Sequence, residues 1–340
     1  MAQGFADEGG FSASPASHTS GKSTHSGSEK IKRLGTALAA QVIDIEELRS
    51  LLWLGVPDDS PLCYRADAWR LVLGYLPLNT STRELVIDKK RKHYLETCKN
   101  HYMKGTFSET ELSLLKQIRV DIPRTSPSLK IFKDSRIQAL MERILFLWSV
   151  RNPASGYVQG INDLLTIFII SFIRPHVDKF TLEIEDICTL SDKTLEDIEA
   201  DSFFCLSKIL SQLQDNYTEH QPGVYKSLRR IGDLVKRIDV DLYNHFEEIN
   251  IDFMQFPFRW MNCMLIRELP MDCSIRLWDT YIAEINNGIV PFHEYVSVAF
   301  LSVWSDKLKL MDYQHTLLFV QQLPTQDWVS DDIDCIISKA

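Results

Sequence analysis

The chain has 340 residues, of which 45% are hydrophobic and 24% charged, the ordinary composition of a soluble globular protein. Its formal net charge of −9 argues against nonspecific nucleic-acid binding, because such binding depends on clustered Lys and Arg that neutralise phosphates. A chain of this length buries a sizeable core, either as one large domain or as two smaller ones.

Residues 1–30 are predicted to form a flexible leader. Ser, Gly, Ala and His dominate this stretch and large apolar residues are few, so it cannot offset the entropy lost on folding.

From residue 31 onward, apolar residues recur at helical spacing and β-alternation is scarce. In segment 137–148 they stand at i, i+3, i+4, i+7, i+8 and i+11, which predicts an amphipathic helix. Similar patterns, separated by Pro, Gly or Asn, occur at 206–213, 231–238, 258–266, 275–282 and 295–304. We therefore predict an all-α fold of a dozen or more helices.

Segment 178–201 holds nine acidic residues against two lysines. Such a charge run is typical of a solvated surface, so we expect it to face solvent. It also marks a predicted division into two helical subdomains near residues 175–200. No repeat of fixed period is visible, which argues against a regular solenoid.

Neither a metal site nor a membrane span is predicted. The seven cysteines include no C-x-x-C pair and the nine histidines are scattered, so zinc-ligand spacings are missing. The longest apolar run, residues 164–172, is too short to cross a bilayer. We expect a cytoplasmic protein with reduced cysteines, whose membrane contact is peripheral.

Two short segments place side chains suited to phosphate chemistry beside residues that break helices. Arg124 follows Pro123, which fixes its own φ and has no N–H, so the arginine is expected on an irregular segment. Gln159 lies between Gly156 and Gly160. A guanidinium and a carboxamide held on loops can reach out of a helical body toward the phosphates of a partner.

These segments resemble the TBC domain of Rab GTPase-activating proteins, whose hallmarks are an I-x-x-D-x-x-R motif and a following Y-x-Q motif. The first motif is present as Ile118, Asp121 and Arg124, and the second as Tyr157 and Gln159.

Further motifs of the family occur on both sides, namely G-V-P at 55–57, R-x-x-x-W at Arg65 and Trp69, F-R-W at 258–260 and I-R-L-W-D at 275–279. The resemblance covers residues 54–309, and the predicted TBC domain extends over 50–325. The pattern is most similar to the Golgi-associated, family-member-22-like subgroup, which implies peripheral contact with Golgi membranes.

The resemblance implies an all-α TBC fold and a GTPase activator that has no independent active site. It acts on a Rab GTPase in its GTP-bound form, and Arg124 and Gln159 are the implied catalytic residues, supplied in trans. An arginine supplied in this way can contribute on the order of 10³–10⁵ in rate. No cofactor of its own is expected, since GTP and Mg²⁺ are carried by the partner.

Three further residues are expected to support this pair. Asp121 is a candidate to orient a nearby arginine or to cap a turn, and Arg65 is its candidate partner. Tyr157 is expected to pack under the glutamine loop. Trp69 is expected in the core, because a tryptophan at helical spacing is usually buried.

Two alternatives stay open. A noncatalytic TBC-fold module could bind a Rab or another trafficking protein as an effector or scaffold, although such a module needs neither Arg124 nor Gln159. A self-contained hydrolase would require a nucleophile–base pair or a metal site of recognisable spacing, and no P-loop motif is present.

Overall fold

The computed structural model describes residues 23–177, 183 and 187–340, and α-helices dominate its architecture. They are α1 (Ser23–Ala39), α2 (Ile45–Trp53), α3 (Cys63–Val72), α4 (Arg83–His101), α5 (Glu109–Asp121), α6 (Ser135–Arg151), α7 (Ile161–Ile173), α8 (Asp192–Gln212), α9 (Pro222–Ile238), α10 (Val240–Glu248), α11 (Phe258–Cys263), α12 (Met271–Ala283), α13 (Ile289–Ser302), α14 (Ser305–Leu308), α15 (Tyr313–Gln321) and α16 (Ser330–Lys339). Within the described ranges no β-strand occurs, and an isolated bridge pairs Val42 with Asn79. The all-α prediction is confirmed.

Apolar periodicity located the helices well, with one informative difference. Segment 137–148 lies inside α6 as predicted. Segment 258–266 is helical only as far as Cys263, because Met264 and Leu265 adopt positive φ values of 47° and 62°. Both of these side chains are only 1% exposed. The apolar pattern therefore extends beyond the end of the helix, because the residues of the following turn are also buried.

Helix α7 forms the centre of the core. All 13 of its residues are buried, and it packs against α6, α8, α11 and α12. The Phe168 ring centroid lies 5.8 Å from that of Trp69 in α3 and 5.9 Å from that of Trp278 in α12. A helix that is apolar all round is typical of a buried position, so run 164–172 belongs to the core. In the part of the chain that the structure describes, no helix is both long and apolar enough to span a membrane.

A buried carboxylate joins α3 to α12. Asp279 is fully buried and accepts hydrogen bonds from the Val56 N–H (2.9 Å), Arg65 Nε (3.2 Å) and Trp69 Nε1 (2.7 Å). Arg65 also donates to the Val56 carbonyl oxygen at 2.7 Å. The expectation that Arg65 pairs with Asp121 is therefore wrong, because its guanidinium is already bound to Asp279 and holds the two helices together.

Two acidic residues at the end of segment 178–201 are buried rather than solvent-facing. Glu199 is 3% exposed and binds the Arg143 guanidinium at 2.7 and 2.6 Å. Asp201 is 0% exposed and accepts from Arg91 (2.8 Å) and Arg70 (2.9 Å). The expectation fails at these positions because they lie on the face of α8 that packs against α3, α4 and α6.

Parts of two sequence predictions lie outside the described residues. These are residues 1–22 of the leader, and 178–182 and 184–186 of the acidic segment. Helix α1 begins at Ser23. The division near 175–200 stays a prediction. Helix α8 begins within this range, at Asp192, and packs against the preceding helices α4, α6 and α7.

A buried histidine links α12 and α13. His293 Nε2 lies 3.0 Å from the Trp260 carbonyl oxygen, and its Nδ1 lies 2.5 Å from the Tyr281 hydroxyl. Because a carbonyl can only accept, Nε2 has the proton and Nδ1 accepts from Tyr281. Burial lowers the pKa of His293 to about 4, so the ring is neutral at physiological pH.

Candidate functional site

Arg124 ends a short turn that follows α5. This helix begins with a capping box formed by Ser108 and Glu111 and ends at Asp121. The next three residues form a 3₁₀ turn that contains Pro123, whose ring and missing N–H prevent continuation of the helix. Arg124 is exposed, and its guanidinium makes no hydrogen bond or ion pair with any residue that the structure describes.

Gln159 lies in the loop between α6 and α7, directly before a position that requires glycine. Gly160 has a φ of 113°, and a Cβ at this position would lie 2.9 Å from the Asn262 carbonyl oxygen. Gly156, in the middle of the loop, also has a positive φ of 62°. The Gln159 side chain is exposed and makes no hydrogen bond within the described part of the chain.

A buried hydrogen-bond network connects these two segments. The Tyr157 hydroxyl lies 2.9 Å from Asp121 Oδ2 and 3.2 Å from Asn162 Oδ1. Asn162 Nδ2 donates to Thr125 Oγ1 at 2.8 Å, and Asn162 Oδ1 accepts from the Gly160 N–H at 2.9 Å. Burial and the Asp121 carboxylate raise the pKa of Tyr157, so its hydroxyl stays a donor at physiological pH.

Arg124 and Gln159 line the same cavity, which has a volume of about 670 Å³. Its other walls come from the segment after Arg124, from the start of α7, and from the region around the turn between α11 and α12. The lining residues are Arg124, Ser126, Pro127, Ser128, Leu129, Gln159, Asp163, Arg259, Ile266, Arg267, Leu269, Pro270, Met271 and Asp272. The two exposed side chains that the sequence singled out are thus brought to one concave surface.

Three arginines line this cavity, and two of them are paired with carboxylates. Arg267 Nε lies 3.0 Å from Asp163 Oδ2, and Arg259 Nε lies 2.6 Å from Glu268 Oε1. Burial raises the pKa of both carboxyl groups, and the paired arginines oppose that rise. Arg124 has no such carboxylate partner among the described residues. Its charge is therefore available to an anion that enters the cavity.

The structure adds residues that sequence reasoning did not assign. Asn162 and Thr125 form the network that links the two segments, and Arg267 lines the cavity. Thr125 directly follows Arg124 and Asn162 lies three residues after Gln159, whereas no local signal marks Arg267. Arg65, predicted as a supporting residue, does not line the cavity. Within the described ranges, no group of three or more His, Cys, Asp or Glu residues is arranged to bind a metal ion.

Comparison with known protein families matches residues 62–309 to the Rab-GTPase-TBC domain. The chain belongs to this family. Its TBC domain therefore includes both the Arg124 turn and the Gln159 loop.

Full-length relatives and a solved structure are similar to this TBC domain. TBC1 domain family member 22B of Homo sapiens is 44% identical over 313 residues, which are 92% of this chain and 60% of that protein. GTPase-activating protein gyp1 of Schizosaccharomyces pombe is 41% identical over 312 residues, again 92% of this chain and 60% of that protein. The chain thus spans about 60% of the length of these relatives.

The crystal structure of the Ypt/Rab-GAP domain of Gyp1p superimposes with a TM-score of 0.86 at 40% sequence identity. The match covers 92% of this chain and 97% of that one. The similarity therefore extends over most of the helical architecture.

Proposed function

We propose that this TBC domain is a GTPase-activating protein for a Rab GTPase and that it supplies Arg124 and Gln159 in trans. The observation that carries the proposal is that both side chains are exposed and line one cavity. The relatives named a GTPase-activating protein and a Ypt/Rab-GAP domain support the same activity.

The chemistry of GTP hydrolysis explains why these two side chains suffice. Phosphoryl transfer needs little covalent help from a protein, so catalysis consists mainly of positioning the water and stabilising charge on the transferring group. The Arg124 guanidinium is permanently protonated and its donors form a fork that matches phosphate oxygens. The Gln159 carboxamide can accept from the attacking water and donate toward the phosphate. GTP and Mg²⁺ arrive with the partner, so this chain needs no cofactor of its own.

The surroundings of the pair favour a catalytic role. Asp163 and Glu268 offset the charges of the neighbouring arginines, which leaves Arg124 as the group that can neutralise an incoming phosphate. Asp121 and Tyr157 lie behind the two segments and hold them in place. Preorganised side chains of this kind avoid the cost of rearrangement when the partner binds.

The test is single-turnover GTP hydrolysis on a panel of purified Rab GTPases, with and without the protein. We expect the wild-type chain to accelerate hydrolysis on at least one Rab. Arg124→Ala should lower the maximal stimulated rate by about 10³-fold or more, and Gln159→Ala should also reduce it severely. Arg124→Lys should rescue little, because an ammonium lacks the planar fork.

Arg119→Ala is the matched control. Arg119 is an exposed arginine of α5 that binds Glu142 at 2.7 Å and does not line the cavity. We expect this variant to stimulate hydrolysis as the wild type does. A chain that binds a GTP-loaded Rab without accelerating hydrolysis would instead be a noncatalytic module. Full activity in both the Arg124→Ala and the Gln159→Ala variant would refute the mechanism.

A further inference from the structure

The Asn162 side chain lies between the two segments that present Arg124 and Gln159. It belongs to the first turn of α7 and is 1% exposed. Its carboxamide binds Thr125 and Gly160, the residues that directly follow Arg124 and Gln159. One buried side chain thus contacts the chain immediately after each of the two exposed residues.

The donors and acceptors of this arrangement can be assigned without ambiguity. The Gly160 backbone N–H can only donate, so the atom 2.9 Å away is the Asn162 oxygen. Asn162 Nδ2 must then face Thr125 Oγ1, which accepts from it and gives its own proton to the Asp121 carbonyl oxygen at 3.0 Å. If the amide were flipped, Asn162 Nδ2 would face the Gly160 N–H, and two donors would then be in contact.

The Tyr157 hydroxyl completes the assignment. Its shorter contact, 2.9 Å, is with the Asp121 carboxylate, and its longer one, 3.2 Å, is with Asn162 Oδ1. A charged acceptor forms the stronger bond, so the proton points chiefly to Asp121. The main hydrogen bonds of the Asn162 side chain are therefore those with Thr125 and Gly160, one on each segment.

We propose that Asn162 is a positioning residue that fixes the Arg124 turn and the Gln159 loop relative to each other. This inference rests on the proposed function, because the positions of Arg124 and Gln159 matter only if both act on one nucleotide. Asn162 is buried, so it touches neither the partner nor GTP. It acts by holding the two segments at one fixed spacing, and a misplacement of about 1 Å can cost on the order of 10²-fold in rate.

The first experiment separates the maximal stimulated rate from the KM for the GTP-loaded Rab. Asn162→Ala should lower the maximal rate about 10- to 100-fold and change the KM less than about 3-fold, because the cavity surface is intact. Asn216→Ala, which truncates another buried asparagine that is only 2% exposed, is the matched control. It should leave both constants near their wild-type values.

A pair of variants at Thr125 keeps the proposal testable if Asn162→Ala does not fold. Thr125→Val removes the hydroxyl at nearly constant volume and should lower the maximal rate about 10-fold, whereas Thr125→Ser should restore it. Thr97→Val removes a similar buried hydroxyl, which bonds to the His93 carbonyl oxygen four residues earlier in α4. This control should keep the wild-type rate.

The combined variant tests whether the two residues act as one unit. Asn162→Ala with Thr125→Val should be no more than about 3-fold slower than Asn162→Ala alone, since both changes break the same bond. Independent losses that multiply would refute the coupling. Wild-type rates in both Asn162→Ala and Thr125→Val, or equal losses in the control variants, would also overturn the proposal.

Hydrogen exchange of the Gly160 amide, followed by NMR on the protein alone, separates this proposal from the proposed function. Asn162→Ala removes the acceptor of that amide and should accelerate its exchange at least about 10-fold, whereas Asn216→Ala should not. Unchanged exchange would refute the anchoring, whatever the activity. If exchange accelerates and no Rab responds to the wild-type chain, the proposed function fails while the anchoring of the loop by Asn162 stands.

Discussion

Replacing Asp279 by alanine should destabilise the fold strongly without changing the cavity. The carboxylate is 0% exposed and accepts from Val56, Arg65 and Trp69. Its removal leaves Arg65, which is itself 8% exposed, with only the exposed Asp58 at 3.9 Å as a counter-ion. It also leaves a tryptophan N–H and a backbone N–H without acceptors.

The expected magnitude follows from the burial of this pair. Breaking a buried ion pair by removing one partner costs about 3–5 kcal/mol of the free energy of unfolding. For a large domain, each kcal/mol corresponds to roughly 2–4 °C, so the Tm should fall on the order of 10 °C. Val56 and Trp69 donate to different oxygens of the carboxylate. Asp279→Asn should therefore lose somewhat less than Asp279→Ala, because its amide oxygen can still accept from one of these two donors.

Urea unfolding at equilibrium, followed by far-UV circular dichroism, measures this loss. Asp306→Ala is the control, since Asp306 is fully exposed and its contact with Lys309 is 4.0 Å long. It should change the free energy of unfolding by less than about 0.5 kcal/mol. The folded fraction of Asp279→Ala should keep the wild-type stimulated rate. A loss below about 1 kcal/mol would refute the assignment of Asp279 as the junction of α3 and α12.

Three further outcomes are expected. The folded-state pKa of His293 lies below its ordinary value of 6.5, at about 4, so the stability it contributes is present above pH 6.5 and is lost as the pH falls toward 4. Between pH 7.5 and pH 5 the free energy of unfolding, measured by urea titration, should fall by about 2 kcal/mol more in the wild type than in His293→Asn. Equal decreases in the two proteins would contradict this. Gly160→Ala should destabilise more than Gly156→Ala, since both have positive φ but only Gly160 faces the Asn262 carbonyl; matching Tm values would count against this. Ser108→Ala should cost about 1 kcal/mol through loss of the capping box at α5, and an unchanged urea midpoint would argue otherwise.

The helical architecture could be predicted because burial in this protein follows the α-helical period. The prediction lost accuracy where burial and helical backbone separate, as at Met264 and Leu265, which are buried in a left-handed turn. Periodicity shows which face of a helix is buried, but it does not show which residues of other helices contact that face. Arg65 and Asp279 are far apart in the chain, so their pairing could be found only from the folded structure.

The candidate site shows the same limit. The motifs identified Arg124 and Gln159 because proline and glycine mark irregular backbone beside each of them. They could not show that Asn162 joins the two segments, because that depends on the direction of a single carboxamide. Arg267 was not found from the sequence at all. It reaches the cavity because a turn after α11 brings it to Asp163 of α7.

The position of Arg259 and Arg267 in the cavity wall determines when the site can form during folding. Arg124 and Gln159 come from the first half of the chain, whereas Arg259 and Arg267 come from beyond residue 250. During synthesis the earlier segments leave the ribosome first, and the cavity cannot form until α11 and α12 have packed against α7. The site is therefore incomplete until both parts of the chain have packed together, and an assay of its chemistry reports on that packing.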